Sequence, residues 1–331
     1  MTQCAVVGAG AWGTALSDLL ARNGHTVKMW AYEWDVVEAI NRSHENRRFL
    51  KGNKLHNGVS ACADIGDALE GAEFVTLATP SHVMRSVIRA AQSSFPSGVP
   101  VVVATKGIEA GTLSLMTEVA SSELPDSTII ALSGPSFASE VVKCQPTAVV
   151  VASTDSDAAR FAQSAFSSNY FRSYTLSDVT GVEVGGALKN VIAVATGIAE
   201  GLGLGYNARA ALITRGLAEM TRLGTKLGAD PMTLAGLAGL GDLVLTCTGS
   251  LSRNRSVGVE VGRGSSLDEV LAGRETVAEG VVTTRSARAL AQRENVEMPI
   301  VDAVYKVLFE NHPPREAIAG LMSRELRSET D

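Results

Sequence analysis

From Cys4 to about Tyr174, short apolar runs rich in valine and isoleucine alternate with stretches whose apolar side chains recur every three or four positions. The short runs are Cys4–Val7, Thr26–Trp30, Val59–Cys62, Phe74–Leu77, Val99–Ala104, Thr128–Leu132, Ala148–Ala152 and Phe171–Tyr174, mostly separated by turn residues, and they predict strands. Helical spacing falls between them, at Glu33–Asn41, His82–Ala91 and Ala158–Phe166. Such alternation predicts an α/β unit, a doubly wound and mostly parallel sheet with helices on both faces. After about Asp178 the β-type runs stop, and alanine, leucine and glycine with helical periodicity take over. Gly181–Leu202 reads as one long, nearly apolar helix and Asn207–Leu227 as a second, opened by an Asn cap, both expected to be largely buried. Shorter helices are predicted around Arg253–Val261, Thr283–Asn295, Asp302–Phe309 and Arg315–Ser323. The expected partition is an α/β domain over 1–179 and an all-helical domain over 180–331.

One turn gives the first domain a ligand. Gly8-Ala-Gly-Ala-Trp-Gly13 follows the first strand and runs directly into a helix, the context in which G-x-G-x-x-G binds a dinucleotide on a Rossmann domain. The first glycine permits the tight turn, the second lets backbone approach a pyrophosphate, and the third allows close helix–sheet packing. Gly8, Gly10, Ala11, Trp12 and Gly13 are therefore candidate cofactor residues, and NAD(H) or NADP(H) the expected cofactor. The second strand ends in Ala31-Tyr-Glu33. Glu33 either accepts bonds from the ribose hydroxyls of NAD or is an ordinary acidic residue of a helix's first turn. Arg47 and Arg48 either reach a 2′-phosphate or are solvated loop charges.

Composition narrows the class. With 29 Lys and Arg against 35 Asp and Glu, the net charge is −6 and the basic residues form no stripe, which argues against a nucleic-acid partner. Cys4, Cys62, Cys144 and Cys247 lack Cys-x-x-Cys or zinc-ligand spacing and read as reduced cytoplasmic thiols; the histidines are dispersed, so no metal is expected. No uninterrupted apolar run reaches the length of a membrane span.

Two lysines carry the candidate chemistry. Lys106 follows a strand, where open α/β sheets place their ligands, or is a surface lysine at a strand exit. Lys189 sits in Gly185-Gly-Ala-Leu-Lys-Asn-Val-Ile-Ala-Val194 with Asn190 as its polar companion, so burial would bring its pKa toward neutrality and suit it to exchange a proton with a carbonyl oxygen. The alternative is a lysine snorkelling out between helices. Asp242 ends a glycine-rich loop four positions before Thr246, so the two share a helical face able to orient a lysine; Asp242 also reads as an N-cap. Ser252-Arg-Asn-Arg255 either offers donors at a helix start, suited to a phosphate dianion, or is a solvated turn. Gly134 and Ser136 in Ser133-Gly-Pro-Ser-Phe-Ala138 leave another strand exit; Ser136 lacks the Gly-x-Ser-x-Gly elbow of a nucleophile.

Taken in order, the Gly8–Thr14 turn, Ala104-Thr-Lys-Gly107, Ser133–Ala138, Gly186–Ala193, Gly239–Cys247 and Ser252–Arg255 resemble bacterial NAD(P)-dependent glycerol-3-phosphate dehydrogenase. The resemblance implies reversible reduction of dihydroxyacetone phosphate to sn-glycerol 3-phosphate, a glycerophospholipid precursor, in a cytoplasmic homodimer. It implies that Lys189 is the proton donor and acceptor, with Lys106, Asn190, Asp242 and Thr246 around the reacting carbon. Ser252, Arg253, Asn254, Gly134 and Ser136 match substrate positions, and Trp12, Lys106, Ala138, Arg253, Val277 and Glu279 match cofactor contacts. Family members often carry His and a basic residue where this chain has Tyr32 and Glu33, which weakens the case for NADP. A β-hydroxyacid or 6-phosphogluconate-type dehydrogenase would share the layout and an active-site lysine but not Ser252-Arg-Asn254. A catalytically silent NAD sensor would not need Lys106, Lys189 and Asp242 together.

Overall fold

A computed structural model describes residues 2–272, 274, 277–326, 328 and 329. Eight strands, β1 (Gln3–Val7), β2 (Thr26–Trp30), β3 (Val59–Cys62), β4 (Phe74–Leu77), β5 (Val101–Val103), β6 (Ile129–Ser133), β7 (Thr147–Ala152) and β8 (Phe171–Leu176), form one sheet in the order β3-β2-β1-β4-β5-β6-β7-β8. All neighbours pair in parallel except β6 and β7, which run antiparallel. Helices α1 (Ala11–Arg22), α2 (Trp34–Ser43), α3 (Ile65–Leu69), α4 (Met84–Ala91), α5 (Met116–Glu123), α6 (Ala138–Val141) and α7 (Ser156–Phe166) lie among the strands.

Strand alternation divides the sheet's two faces into separate cores. Cys4 and Val6 of β1 pack with Leu16 and Leu19 of α1 and with Ala162 and Phe166 of α7, whereas Ala5 and Val7 pack with Leu69, Ile88 and Val119 of α3, α4 and α5. The order of strands reverses between β1 and β4, so the crevice at their carboxyl ends is the position at which such sheets hold ligands. The turns after β1, β4, β5 and β6 all open on that edge.

The remaining helices are α8 (Val179–Gly201), α9 (Tyr206–Lys226), α10 (Pro231–Ala235), α11 (Asp242–Thr248), α12 (Arg253–Gly262), α13 (Leu267–Ala272), α14 (Glu279–Arg293), α15 (Pro299–Phe309) and α16 (Pro314–Met322). Every residue of α8 from Gly181 through Ala199 is buried. By length and composition α8 is long and apolar enough to cross a bilayer, although Glu183, Lys189 and Asn190 interrupt its apolar run, and it is buried within the protein. α12 lies backbone to backbone against it. A methyl group on Gly197 would stand 2.1 Å from the Arg255 carbonyl oxygen, and one on Gly201 2.3 Å from that of Val259.

α9 departs from expectation twice. Its cap is Gly205, with Asn207 already inside the helix, and burial is confined to Gly216, Glu219, Met220, Leu223 and Gly224.

Candidate active site

The turn after β1 is built by its glycines. Gly8 holds φ at 116°, and a side chain there would strike the Ala78 backbone at 2.8 Å. A Cβ on Gly13 would lie 1.9 Å from the Gly8 carbonyl oxygen, so only glycine lets α1 start this close to the strand. Gly10 differs, since nothing stands within 4 Å of where its Cβ would be. It is the N-cap of α1 and supplies no side-chain acceptor, so the first N–H groups of the helix, with its positive dipole end, face the crevice. A pyrophosphate fits that cradle. Asn46, fully buried, braces it by donating to the Ala9 carbonyl and to Thr14 Oγ1, each at 2.8 Å.

At the end of β2, Tyr32 is exposed and Glu33 caps α2 by position, without a side-chain hydrogen bond. Arg47 faces Glu45 in its own loop at 3.5 Å, and Arg48 faces Asp35 in the first turn of α2 at 3.6 Å, so both have acidic neighbours.

Across the crevice one carboxylate gathers both lysines. Asp242 Oδ2 accepts from Lys106 Nζ at 2.6 Å and Oδ1 from Lys189 Nζ at 2.5 Å. Lys106 also donates to the Gly134 carbonyl at 3.3 Å, and Lys189 to Thr246 Oγ1 at 3.0 Å, while the Thr246 hydroxyl donates to the Asp242 carbonyl at 2.6 Å. Burial pushes Lys189 down to about 8, against the pull of Asp242 and with a further push from Lys106. Burial alone would raise Asp242, but the two ammonium groups outweigh it and hold the carboxyl below its usual range. Lys189 is thus buried and paired, and does not snorkel. Asp242 is not an N-cap. The chain enters α11 through a π turn, Leu237–Gly241, and Asp242 is already the first α-helical residue, with its side chain turned to the lysines.

The Ser252-Arg-Asn-Arg255 run divides in two. Ser252 is a buried N-cap that accepts the Arg255 N–H at 3.2 Å, and Arg255 itself is spent on Glu200 through two hydrogen bonds of 2.9 and 2.6 Å. Arg253 is exposed and, among the described residues, makes no hydrogen bond or ion pair. Asn254 donates to Asn190 Oδ1 at 2.8 Å and accepts the Gly280 N–H at 2.9 Å, locking α12, α8 and α14 together.

Residues 3–159 match the family described as the NAD-dependent glycerol-3-phosphate dehydrogenase N-terminus, and residues 178–319 match its C-terminus. The chain belongs to the NAD-dependent glycerol-3-phosphate dehydrogenase family. It is an NAD(P)-dependent oxidoreductase with a Rossmann-type sheet domain and a helical C-terminal region. A glycerol-3-phosphate dehydrogenase [NAD(P)+] of Syntrophotalea carbinolica is 53% identical over 329 residues, covering 98% of this chain and 99% of that protein. One from Myxococcus xanthus is 52% identical over 327 residues, covering 98% of each. The crystal structure of glycerol-3-phosphate dehydrogenase from Coxiella burnetii superposes with a TM-score of 0.94 at 40% identity, covering 98% of this chain and 99% of that one.

Within this member of the family, Ser136 donates to the Gly134 carbonyl at 2.9 Å and Ala138 begins α6 beside them. Val277 is half-buried just ahead of α14. Glu279, first in α14, accepts from Ser81 N at 3.1 Å and Oγ at 2.6 Å, joining the turn after β4 to the helical region; burial pushes its carboxyl up. Neither Ser81, at a strand exit, nor Asn46 lies in a motif, and nothing in the sequence marks the contact that either makes.

Proposed function

We propose that this chain reversibly reduces dihydroxyacetone phosphate to sn-glycerol 3-phosphate, with Lys189 carrying the proton. The Lys106–Asp242–Lys189 cluster, with Lys106 leaving β5 at the same carboxyl-end edge of the sheet as the glycine turn, is the observation that supports this most. A nicotinamide dinucleotide, when bound, supplies the hydride. Gly8, Gly10, Ala11, Trp12 and Gly13 would hold its phosphates, with Tyr32 and Glu33 toward the adenosine ribose and Lys106, Ala138, Arg253, Val277 and Glu279 toward the reacting end.

Lys189 gives its proton to the carbonyl oxygen as the carbonyl carbon is reduced, and takes it back in the reverse direction. A lysine titrating at about 8 holds either form near neutral pH. Asp242 and Thr246 fix where Nζ points. Lys106, on the same carboxylate, adds positive charge where the oxygen turns anionic. Arg253, with an uncommitted guanidinium, takes the phosphate dianion beside Ser252 and Asn254, while Asn190, Gly134 and Ser136 complete the wall.

We assign residues 1–179 to cofactor binding and 180–331 to substrate binding, and place the enzyme in the cytoplasm as a homodimer serving glycerophospholipid synthesis. Sedimentation velocity tests the dimer. NADH and NADPH oxidation measured with dihydroxyacetone phosphate, beside oxidation of 3-hydroxy acids and 6-phosphogluconate, tests the activity. Turnover of either comparison substrate in preference to dihydroxyacetone phosphate would overturn the assignment.

A further inference from the structure

Lys106 and Lys189 reach Asp242 from different parts of the fold, and the cluster itself does not fix how those parts stand to each other. A contact behind it does. Glu183, a buried carboxyl on α8, accepts the Thr117 N–H at 2.8 Å and also the Thr117 hydroxyl. Thr117 is the second residue of α5, which directly follows the segment bearing Lys106, and a bridge between Ile108 and Leu115 closes that segment. On the other side, Glu183 precedes Lys189 on the same rigid helix by a rise of about 9 Å. Between the two, α8 has no lateral room. A Cβ on Gly185 would stand 2.4 Å from the Ala238 carbonyl oxygen and one on Gly186 2.7 Å from Ser133 Oγ. What remains is sliding along the helix axis, and the bonds to Thr117 oppose it. Burial pushes the Glu183 carboxyl up to about 7, so the tie is held at an electrostatic cost and is poorly explained as a source of stability.

We propose that Glu183 is a positioning residue for the reaction, setting through Thr117 the register of α8 against α5 and hence the approach of Lys189 and Lys106 to the substrate carbonyl. This rests on Lys189 as the proton carrier. Steady-state kinetics with NADH and dihydroxyacetone phosphate test it. Glu183→Ala is expected to lower kcat by about 10- to 100-fold, the scale of a displacement of about 1 Å at a reacting group. KM for NADH should stay within about twofold, because the cradle on α1 is untouched. Glu183→Gln should restore most of kcat, since its amide oxygen accepts the Thr117 N–H and its amino group donates to the hydroxyl. Thr117→Val, which removes one of the two bonds from the opposite side, should lower kcat less, and should add nothing to Glu183→Ala.

A kcat for Glu183→Ala within about twofold of wild type, or a loss that Glu183→Gln leaves unrepaired, would overturn the role. If Glu183→Ala fails to fold, Thr117→Val decides alone: a lowered kcat with unchanged KM for NADH supports the tie, and an unchanged kcat ends it. Lys189→Met separates this from the assignment beneath it. Retained turnover in Lys189→Met removes the proton carrier, whereas an inactive Lys189→Met beside an unimpaired Glu183→Ala removes only the positioning role.

Discussion

The two glycine-rich turns that lead into helices at the active site, Gly8–Gly13 before α1 and Leu237–Gly241 before α11, share a composition and differ in what the glycines face. In the first, Gly8 and Gly13 let strand and helix close on each other, and Gly10 is left with nothing within 4 Å. The opening is outward, toward a ligand. In the second, a Cβ on Gly239 would stand 1.9 Å from the Leu234 carbonyl oxygen, and Ala238 presses on Gly185 of α8. That turn is closed on protein, and what it offers the site is the side chain that follows it, Asp242. A glycine therefore marks a close approach of backbone to something, and the fold decides whether that something is a ligand or the rest of the chain.

Variants acting on one turn and not the other sharpen the contrast. The largest effect is expected for Lys189→Met, which removes the group held by the closed turn: kcat should fall by about 10² to 10⁴, while NADH binding, followed by fluorescence, should hardly change. Retained turnover would mean that another residue carries the proton. Arg253→Ala should raise KM for dihydroxyacetone phosphate by about 10- to 150-fold, corresponding to a charge-assisted contact of about 1.5–3 kcal/mol. An unchanged KM would remove Arg253 from the phosphate site.

Gly10→Val and Gly239→Ala test the comparison directly. Gly10→Val should leave Tm unchanged and raise KM for NADH about tenfold or more, because its side chain fills space outside the protein. Gly239→Ala should do the reverse, with overpacking of about 1–3 kcal/mol lowering Tm by about 2–4 °C per kcal/mol. The same pattern from both variants would erase the distinction.

The pH profile follows from Lys189 at about 8. Ketone reduction needs the ammonium, so its kcat/KM should fall as pH rises through about 8; alcohol oxidation needs the neutral amine and should rise through the same range. Profiles that move together would contradict the assignment. The smallest effect is expected at the adenosine end, where Glu33→Arg should shift preference toward NADPH from a wild type that uses NADH at least as well. A strong wild-type preference for NADPH, unaltered by the change, would turn Glu33 away from the cofactor.

The sheet was legible because each strand is a short β-branched run bounded by turns, and all eight predicted runs became strands within a few residues. The reversal at β6–β7 was not, since direction depends on how the chain returns through 134–146 and not on either strand's composition. At the site, Lys189 stands out as a charge in an apolar run, and Glu183, six positions earlier in the same helix, carries the same signal without a motif to mark it. Arg253 and Arg255 are alike in sequence; only Glu200, placed beside Arg255 by the packing of α12 on α8, separates a ligand donor from a structural ion pair. Asn46 could not have been found from its charged neighbours, because its partners, Ala9 and Thr14, lie far away in the chain.

The burial of α8 sets a condition on how the polypeptide is made. The helix leaves the ribosome just ahead of α9 but well before α11, α12 and α14, which complete its cover, and the last of these ends at Arg293, about ninety residues downstream of Gly201. At synthesis rates of about 5–20 residues per second, an apolar segment long enough to cross a bilayer waits roughly 5–20 s for its cover. Nascent chains stalled between these points are expected to be held by chaperones that bind apolar helices, and to aggregate where those are depleted. Pelleting of chains released at successive lengths would show solubility returning only once α14 has emerged.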